Sequence, residues 1–272
     1  MPELAGHVVQ TNVRGTAVEM LDLGSGPPML FLNAGIGTDP GTATLNRLAQ
    51  RLRAIAPSHP GFGATERPPW ITTVDDLSYF YLDLLDELDL NQVILVGVSF
   101  GAWVAAEIAI KCTTRLSHLV MVDAVGIKVG DRETRDIADV FAMSEDEFNA
   151  AAFANPSVGA KNYKSMSEAD LLATARNREA LARFAWSPYM HDPKLRNRLH
   201  RIDVPTLFLW GAQDRIVSAD YGRRYCAAVP GARFELIDHA GHLPHIEQPG
   251  VFAERIVDVV EERSVLRSAE AS

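Results

Sequence analysis

An unbroken apolar run, Val93 to Val98, leads straight into Gly97-Val98-Ser99-Phe100-Gly101, and the residues that follow are rich in small side chains at Ala102, Ala105, Ala106 and Ala109. A strand, a sharp turn and a helix is the context that gives G-x-S-x-G its meaning. The turn forces the serine into a strained backbone conformation, and glycines two residues to either side relieve the crowding. Ser99 would then stand alone above a sheet edge at a helix N-terminus, where the Phe100 N–H points at developing negative charge. A serine hydroxyl near neutral pH is a poor nucleophile and needs a base, and the base needs an orienting group. Asp214 follows the apolar run Thr206 to Trp210, and His242 lies in His239-Ala240-Gly241-His242-Leu243-Pro244-His245 after the run Arg233 to Ile237. Ser99, Asp214 and His242 occur in the chain order found on open α/β sheets, whose parallel strands present their carboxyl ends on one edge.

The elements that must hold these residues can be read along the chain. Strands are expected at Val18 to Leu23 and Met29 to Leu32, joined in hairpin fashion by Gly24-Ser25-Gly26-Pro27, and at Arg53 to Pro57, Val93 to Val98, Leu116 to Val122, Thr206 to Trp210 and Arg233 to Ile237. Helical spacing marks Ala43 to Leu52, Val74 to Leu88, Ala102 to Ile110, Ala219 to Ala228 and Val251 to Arg263. This alternation predicts a mostly parallel, doubly wound α/β sheet. From Gly126 to Arg201 the rhythm breaks into amphipathic stretches at Arg132 to Ala142, Glu145 to Ala154, Glu168 to Phe184 and Lys194 to His200. The expected organisation is therefore a core of residues 1–125 and 202–263, a helical cap at 126–201 inserted between core strands, and a frayed tail at 264–272.

Taken together in order, the turn at Gly24 to Pro27, the loop Asn33-Ala34-Gly35-Ile36-Gly37, Pro60-Gly61-Phe62-Gly63, the turn around Ser99, Trp210-Gly211-Ala212-Gln213-Asp214, and Ala240-Gly241-His242 with Glu247-Gln248-Pro249 resemble the α/β-hydrolase fold. The similarity spans roughly Gly15 to Glu262, in the lid-bearing branch that includes carboxylesterases, lactonases and carbon–carbon bond hydrolases. The resemblance maps nucleophile, acid and base onto Ser99, Asp214 and His242. Asp123, which also follows a core strand, is the alternative acid, because some members place theirs there. The family usually has His-Gly where this chain has Asn33-Ala34, and the next residue donates its N–H to the oxyanion. That points to Gly35, with Ile36 as neighbour.

The resemblance also narrows the chemistry. Serine at position 99 argues against epoxide hydrolases and haloalkane dehalogenases of this fold, which need an aspartate nucleophile. Carbon–carbon hydrolases commonly have tryptophan after the catalytic histidine and an arginine in the lid. Here Leu243 follows His242, while Arg176, Arg178 and Arg183 leave the second feature open. The expectation is hydrolysis of a small to medium hydrophobic ester or lactone, with a carbon–carbon hydrolase, a cofactor-free haloperoxidase or perhydrolase, and a non-catalytic receptor on the same fold as alternatives. Ile36, Trp186, Tyr189 and Leu243 are the candidate substrate contacts. Phe141, Met143, Phe153, Tyr163, Met166 and Phe184 are further aromatic and methionine candidates in the cap, of which two or three should face the pocket.

The resemblance implies a small-molecule acyl substrate as the partner, and composition argues against other classes. Lys+Arg 26 against Asp+Glu 35 gives a net charge of −9, the wrong sign for nucleic acid. No apolar stretch approaches the roughly 20 residues of a membrane span. The N-terminus lacks the marks of a secretory signal, and Cys112 and Cys226 stand far apart, so a reducing cytoplasm is the expected setting. A homodimer is left open. No cofactor is expected, and no metal: Gly241 and Pro244 interrupt any helix that could align His239, His242 and His245.

Overall fold

The computed structural model describes residues 7–37 and 42–270. Its strands are β1 (His7–Val13), β2 (Thr16–Leu23), β3 (Pro28–Leu32), β4 (Arg53–Pro57), β5 (Val93–Val98), β6 (Leu116–Val122), β7 (Thr206–Gly211) and β8 (Arg233–Ile237). They form one eight-stranded sheet in the order β1-β2-β4-β3-β5-β6-β7-β8, in which only β2 runs against its neighbours. Every residue of β5, β6 and β7 is buried, so the runs without a polar face do occupy the middle of the sheet, covered on both sides. The covering helices are α1 (Thr42–Leu48), α2 (Val74–Glu87), α3 (Phe100–Ala109), α6 (Ala219–Cys226) and α8 (Pro249–Glu270), with α4, α5 and α7 described below. α3 is buried along its whole length, which its small residues allow: Ala102, Ala105 and Ala106 let it lie directly against the sheet. None of the described helices is long and apolar enough to cross a membrane.

The expected hairpin between the second and third strands does not form. β2 pairs with β1 and β4, and β4 separates it from β3. The turn carries the chain past the segment that leads into β4: a Cβ on Gly26, at φ +115°, would lie 2.8 Å from the Arg51 carbonyl oxygen. β1 itself was illegible because it is an edge strand with weak patterning; Val8 is 59% exposed. At the other end, α8 continues through most of the stretch expected to fray, to Glu270, and 271–272 lie outside the described residues.

Residues 126–201 leave the core after β6 and return before β7. Their two ends are tied together, the Gly126 N–H to the Met190 carbonyl (3.0 Å) and the Asp192 N–H to the Gly126 carbonyl (3.0 Å). The insertion contains α4 (Glu145–Ala152), α5 (Glu168–Ala185) and short 3-10 turns at Pro156–Val158 and Leu195–Arg201. The helix expected over Arg132 to Ala142 is absent, and acidic side chains there bond the backbone of the loop instead. Asp136 accepts the N–H groups of Val129 and Gly130 at 3.0 Å and pairs with Lys128, while Asp131 accepts those of Glu133 and Thr134.

Candidate active site

The end of β5 brings Ser99 up at φ 52°, ψ −111°, a conformation non-glycine residues rarely hold. The neighbouring glycines make room for it. A Cβ on Gly97 would lie 2.6 Å from the Ala102 Cα, and one on Gly101 would collide with the carbonyls of Leu32 and Asn33. Similar crowding fixes the opposite side of the site. Gly211, at the end of β7, is pressed so closely on the Gly241 carbonyl that no side chain could stand there, which brings the Asp214 loop and the His242 loop together.

The three predicted residues converge. His242 Nε2 lies 2.7 Å from Ser99 Oγ, and Nδ1 lies 2.8 Å from Asp214 Oδ2. The second Asp214 oxygen accepts the N–H groups of Ile216 (2.7 Å) and Val217 (3.1 Å), which sets the carboxylate plane. His242 and Asp214 are buried, whereas Ser99 is partly exposed. An ionised carboxylate beside Nδ1 calls for the tautomer with its proton there, leaving Nε2 free to accept the serine proton.

Asp123 is neither remote from this chain nor the residue that orients His242. It is completely buried beneath Asp214, with Oδ1 accepting the Gly211 N–H at 2.9 Å. Burial first, then the charge of Asp214, push its carboxyl well above the usual range, so Asp123 is held protonated. Asp123, Asp214 and His242 place one ligand-type atom each within 4.8 Å, the one such grouping of acidic and histidine side chains among the described residues. Both His242 ring nitrogens already face hydrogen-bonding partners there. The other two histidines point elsewhere: His239 is exposed, and His245 is buried against Phe31 and Phe252. Burial, with the nearby His242, pushes the His245 imidazole down to about 3, so it is neutral.

The backbone N–H groups of Gly35 and of Phe100, the residue after Ser99, are used by no hydrogen bond among the described residues. The Phe100 N–H opens α3, and Gly35 sits in the turn after β3. Asn33, standing where a histidine was anticipated, sends its side-chain amide to the Pro57 carbonyl (3.2 Å) and is buried. Leu181 of α5 lies directly over Gly35.

Above this edge lies a cavity of about 370 Å³, bounded by Gly35 and Ile36 on the core side and by α4, α5 and their connecting loop on the other. Ser99 is not among its lining residues. Of the predicted contacts, Ile36 lines it. The other three do not. Trp186 is 61% exposed and packs on the outer side of Phe141; Tyr189 spends its hydroxyl on the Val140 N–H and the Ala138 carbonyl; Leu243 is sealed in the core, and Ile246 faces the cavity in its place. Phe141, Met143, Phe153 and Tyr163 do line it, whereas Phe184 packs on Phe62 and Phe100, and Met166 lines a neighbouring cavity of about 510 Å³.

Asn177, which carried no motif, stands between the two cavities. Its amide donates to the Ile36 carbonyl (3.1 Å) and accepts from the Gly63 N–H (2.8 Å), fastening α5 to two core loops. Glu247 is a second fastening. Its carboxylate, in the short helix α7 (Pro244–Glu247), accepts the N–H groups of Gly241, Ala154 and Asn155, and the His242 N–H reaches the Ala152 carbonyl at 2.7 Å.

With the sheet order and this site in view, the comparisons agree on one class. The sequence profile of the Alpha/beta hydrolase family matches residues 29–255, and the chain belongs to that family. It is similar to a 2-hydroxy-6-oxo-2,4-heptadienoate hydrolase from Pseudomonas putida, 25% identical over 268 residues, covering 90% of this chain and 92% of that protein. Among solved structures it resembles a meta-cleavage product hydrolase from Pseudomonas fluorescens IP01 (TM-score 0.77, 20% identity, covering 94% of this chain and 98% of the other). It also resembles a naproxen esterase from Bacillus subtilis (TM-score 0.75, 16% identity, covering 94% and 91%).

Proposed function

We propose that the chain is a serine hydrolase that cleaves a small to medium hydrophobic ester or lactone through an acyl-enzyme. The observation that carries this reading is the unbroken series Asp214–His242–Ser99, at 2.8 and 2.7 Å, with the Phe100 and Gly35 backbone N–H groups both uncommitted. Ser99 Oγ attacks the acyl carbon while His242 Nε2 takes its proton, and the imidazolium that forms is stabilised by the Asp214 carboxylate. The carbonyl oxygen becomes an oxyanion held by the Gly35 and Phe100 N–H groups. As the tetrahedral adduct collapses, the bond to the leaving oxygen breaks and His242 protonates it. Water, deprotonated by the same imidazole, then releases the acid and restores Ser99.

The cavity supports an acyl compound of limited size. Its walls are largely apolar, and insertion residues 126–201 act as a cap that excludes bulk water from the acyl-enzyme. A second reading, a carbon–carbon bond hydrolase, has its own support. Arg178 and Lys161 line the cavity and could pair with a substrate carboxylate, and relatives named above carry that activity in their names. The two readings separate in one assay: p-nitrophenyl esters from acetate to palmitate beside a 2-hydroxy-6-oxo-dienoate. Turnover is expected to favour short and medium esters over the dienoate. A kcat/KM for the dienoate exceeding that of every ester by a factor of ten or more would transfer the assignment to carbon–carbon cleavage.

A further inference from the structure

The chemistry proposed above uses neither His59 nor Tyr81, yet both are enclosed in the core, 1% and 0% exposed, on the same side of the sheet as Ser99. His59 follows β4 and Tyr81 lies on α2, so the two come from different elements. His59 Nε2 is 2.9 Å from the Asn33 carbonyl oxygen, and Nδ1 is 2.6 Å from the Tyr81 hydroxyl. A carbonyl can only accept, so the ring proton sits on Nε2, Nδ1 is the acceptor, and the Tyr81 O–H donates to it. The direction of the series is thus fixed as Tyr81 to His59 to Asn33.

Both ends of the oxyanion arrangement touch this imidazole. Asn33 begins the loop that carries Gly35, and its own amide returns to the Pro57 carbonyl two residues before His59, so the two loops clasp each other reciprocally. The Phe100 ring meets the imidazole edge-on, with centroids 5.5 Å apart and planes at 87°, and Phe100 is the residue whose N–H supplies the other donor. Phe62 and Tyr81 pack on it as well, at 5.4 and 5.6 Å, and its remaining side borders the cavity of about 510 Å³. A charged imidazole does not suit such a box. Burial pushes His59 down to about 4, against the lesser opposing effect of the Asn33 bond, so it stays neutral as a pure positioning group.

We infer that His59, oriented by Tyr81, is a positioning residue that sets the spacing of the Gly35 and Phe100 N–H donors and so tunes oxyanion stabilisation without touching substrate. This rests on the serine hydrolase reading, and it explains how a loop beginning Asn33-Ala34 keeps its geometry: the histidine that holds it is supplied from the next loop.

The test compares wild type, Tyr81→Phe and His59→Ala in three measurements. These are kcat and KM on a short p-nitrophenyl ester, inhibition by a boronic acid that forms a tetrahedral oxyanion on Ser99, and binding of the planar amide analogue of the same ester. Tyr81→Phe keeps the ring and loses only the donor. It should lower kcat and boronate affinity in parallel, by roughly 10-fold, and His59→Ala by roughly 100-fold, with amide binding and KM within about threefold of wild type. His59→Gln, whose amide can still donate to the Asn33 carbonyl, should recover part of the loss. Equal boronate-to-amide affinity ratios in wild type and folded Tyr81→Phe would overturn the inference, as would losses that track melting temperature alone. If wild type forms no boronate adduct at Ser99, the serine hydrolase reading itself fails, a result distinct from either.

Discussion

Ser99, Asp214 and His242 are placed by backbone. The Ser99 N–H bonds the Val122 carbonyl and Asp214 receives two N–H groups, so both sit where strand ends put them, while the His242 N–H is held by the Ala152 carbonyl at the end of α4. Across the cavity Phe141, Met143, Phe148 and Tyr163 are placed differently. Phe141 leans on Trp186 and Tyr189, and Tyr163 is 42% exposed on the loop between α4 and α5. A reacting group displaced by 1 Å can cost about 100-fold in rate, whereas a wall displaced by as much changes only which substrates fit. On the proposed reading the strand-end side, braced by the end of α4, would carry the reaction, and the cavity-facing part of the insertion would carry the choice of substrate.

The largest effects should come from the strand-end side. Ser99→Ala should lower kcat by about 10⁴-fold or more while leaving the melting temperature close to wild type, since the turn accepts a smaller side chain. Steady-state turnover with thermal melts checks both halves; more than about a tenth of wild-type turnover would break the assignment. Asp214→Asn should cost on the order of 10⁴-fold through the wrong imidazole tautomer. Asp123→Asn should cost far less, because the amide oxygen can still accept the Gly211 N–H and the residue it replaces is already uncharged. Reversal of that ranking would hand the orienting role to Asp123.

On the insertion side the effects should be smaller and should fall on specificity. Asn177→Ala removes two hydrogen bonds between α5 and the core, and about 1–3 kcal/mol of stability with them. It also thins the wall between the cavities of about 370 and 510 Å³, so the preferred ester chain should lengthen while turnover of the acetate changes little. Trp186→Ala should leave the chain-length profile unchanged, because Trp186 stands outside the cavity. A profile moved by Trp186→Ala and not by Asn177→Ala would invert this account of the insertion.

The smallest effect is a pH dependence of stability. His59 and His245 are buried and neutral, down at about 4 and about 3, where an unfolded histidine titrates near 6.5. Below about pH 6.5 the unfolded chain takes up protons that the folded one does not. Their stabilisation is therefore complete above that pH and lost as pH falls, by at most ~1.4 kcal/mol per pH unit for each histidine. Asp123 acts in the opposite sense. Held protonated when folded, it stabilises at low pH, and that contribution declines as pH rises above the unfolded value of about 4. Between about pH 4 and 6.5 the two histidines and Asp123 thus act in opposite directions, and Asp123→Asn should make stability rise more steeply with pH than in wild type. Urea titrations at pH 5, 6 and 7 check the slope; a variant with an unchanged slope would mean that Asp123 is ionised in the fold.

How much of this was legible in the sequence follows the same division. The run ending at Val98 has no polar face, and the residues that converge follow it and the strands ending at Gly211 and Ile237. The family resemblance pointed to Gly35, whose N–H is used by no hydrogen bond among the described residues. Strand order at the N-terminal edge was not readable, since a turn such as Gly24 to Pro27 serves a hairpin and a crossover equally well. In the insertion, apolar spacing alone could not tell an inward Phe141 from an outward Trp186, nor foresee that the stretch from Arg132 to Ala142 would be a loop in which Asp131 and Asp136 bond backbone N–H groups. Asn177, Glu247 and His59 act through hydrogen bonds to backbone groups of distant loops, and no spacing pattern encodes those. For Glu247 the motif was visible but its part in tying α4 to the His242 loop was not.

The most direct test of the central claim is to treat the wild-type chain with a short alkyl fluorophosphonate and locate the adduct by peptide mass spectrometry. The account predicts stoichiometric phosphonylation of Ser99 with parallel loss of ester turnover, and labelling slowed by orders of magnitude in Asp214→Asn. No adduct on Ser99 in folded protein, or stoichiometric adduct on another residue, would contradict it.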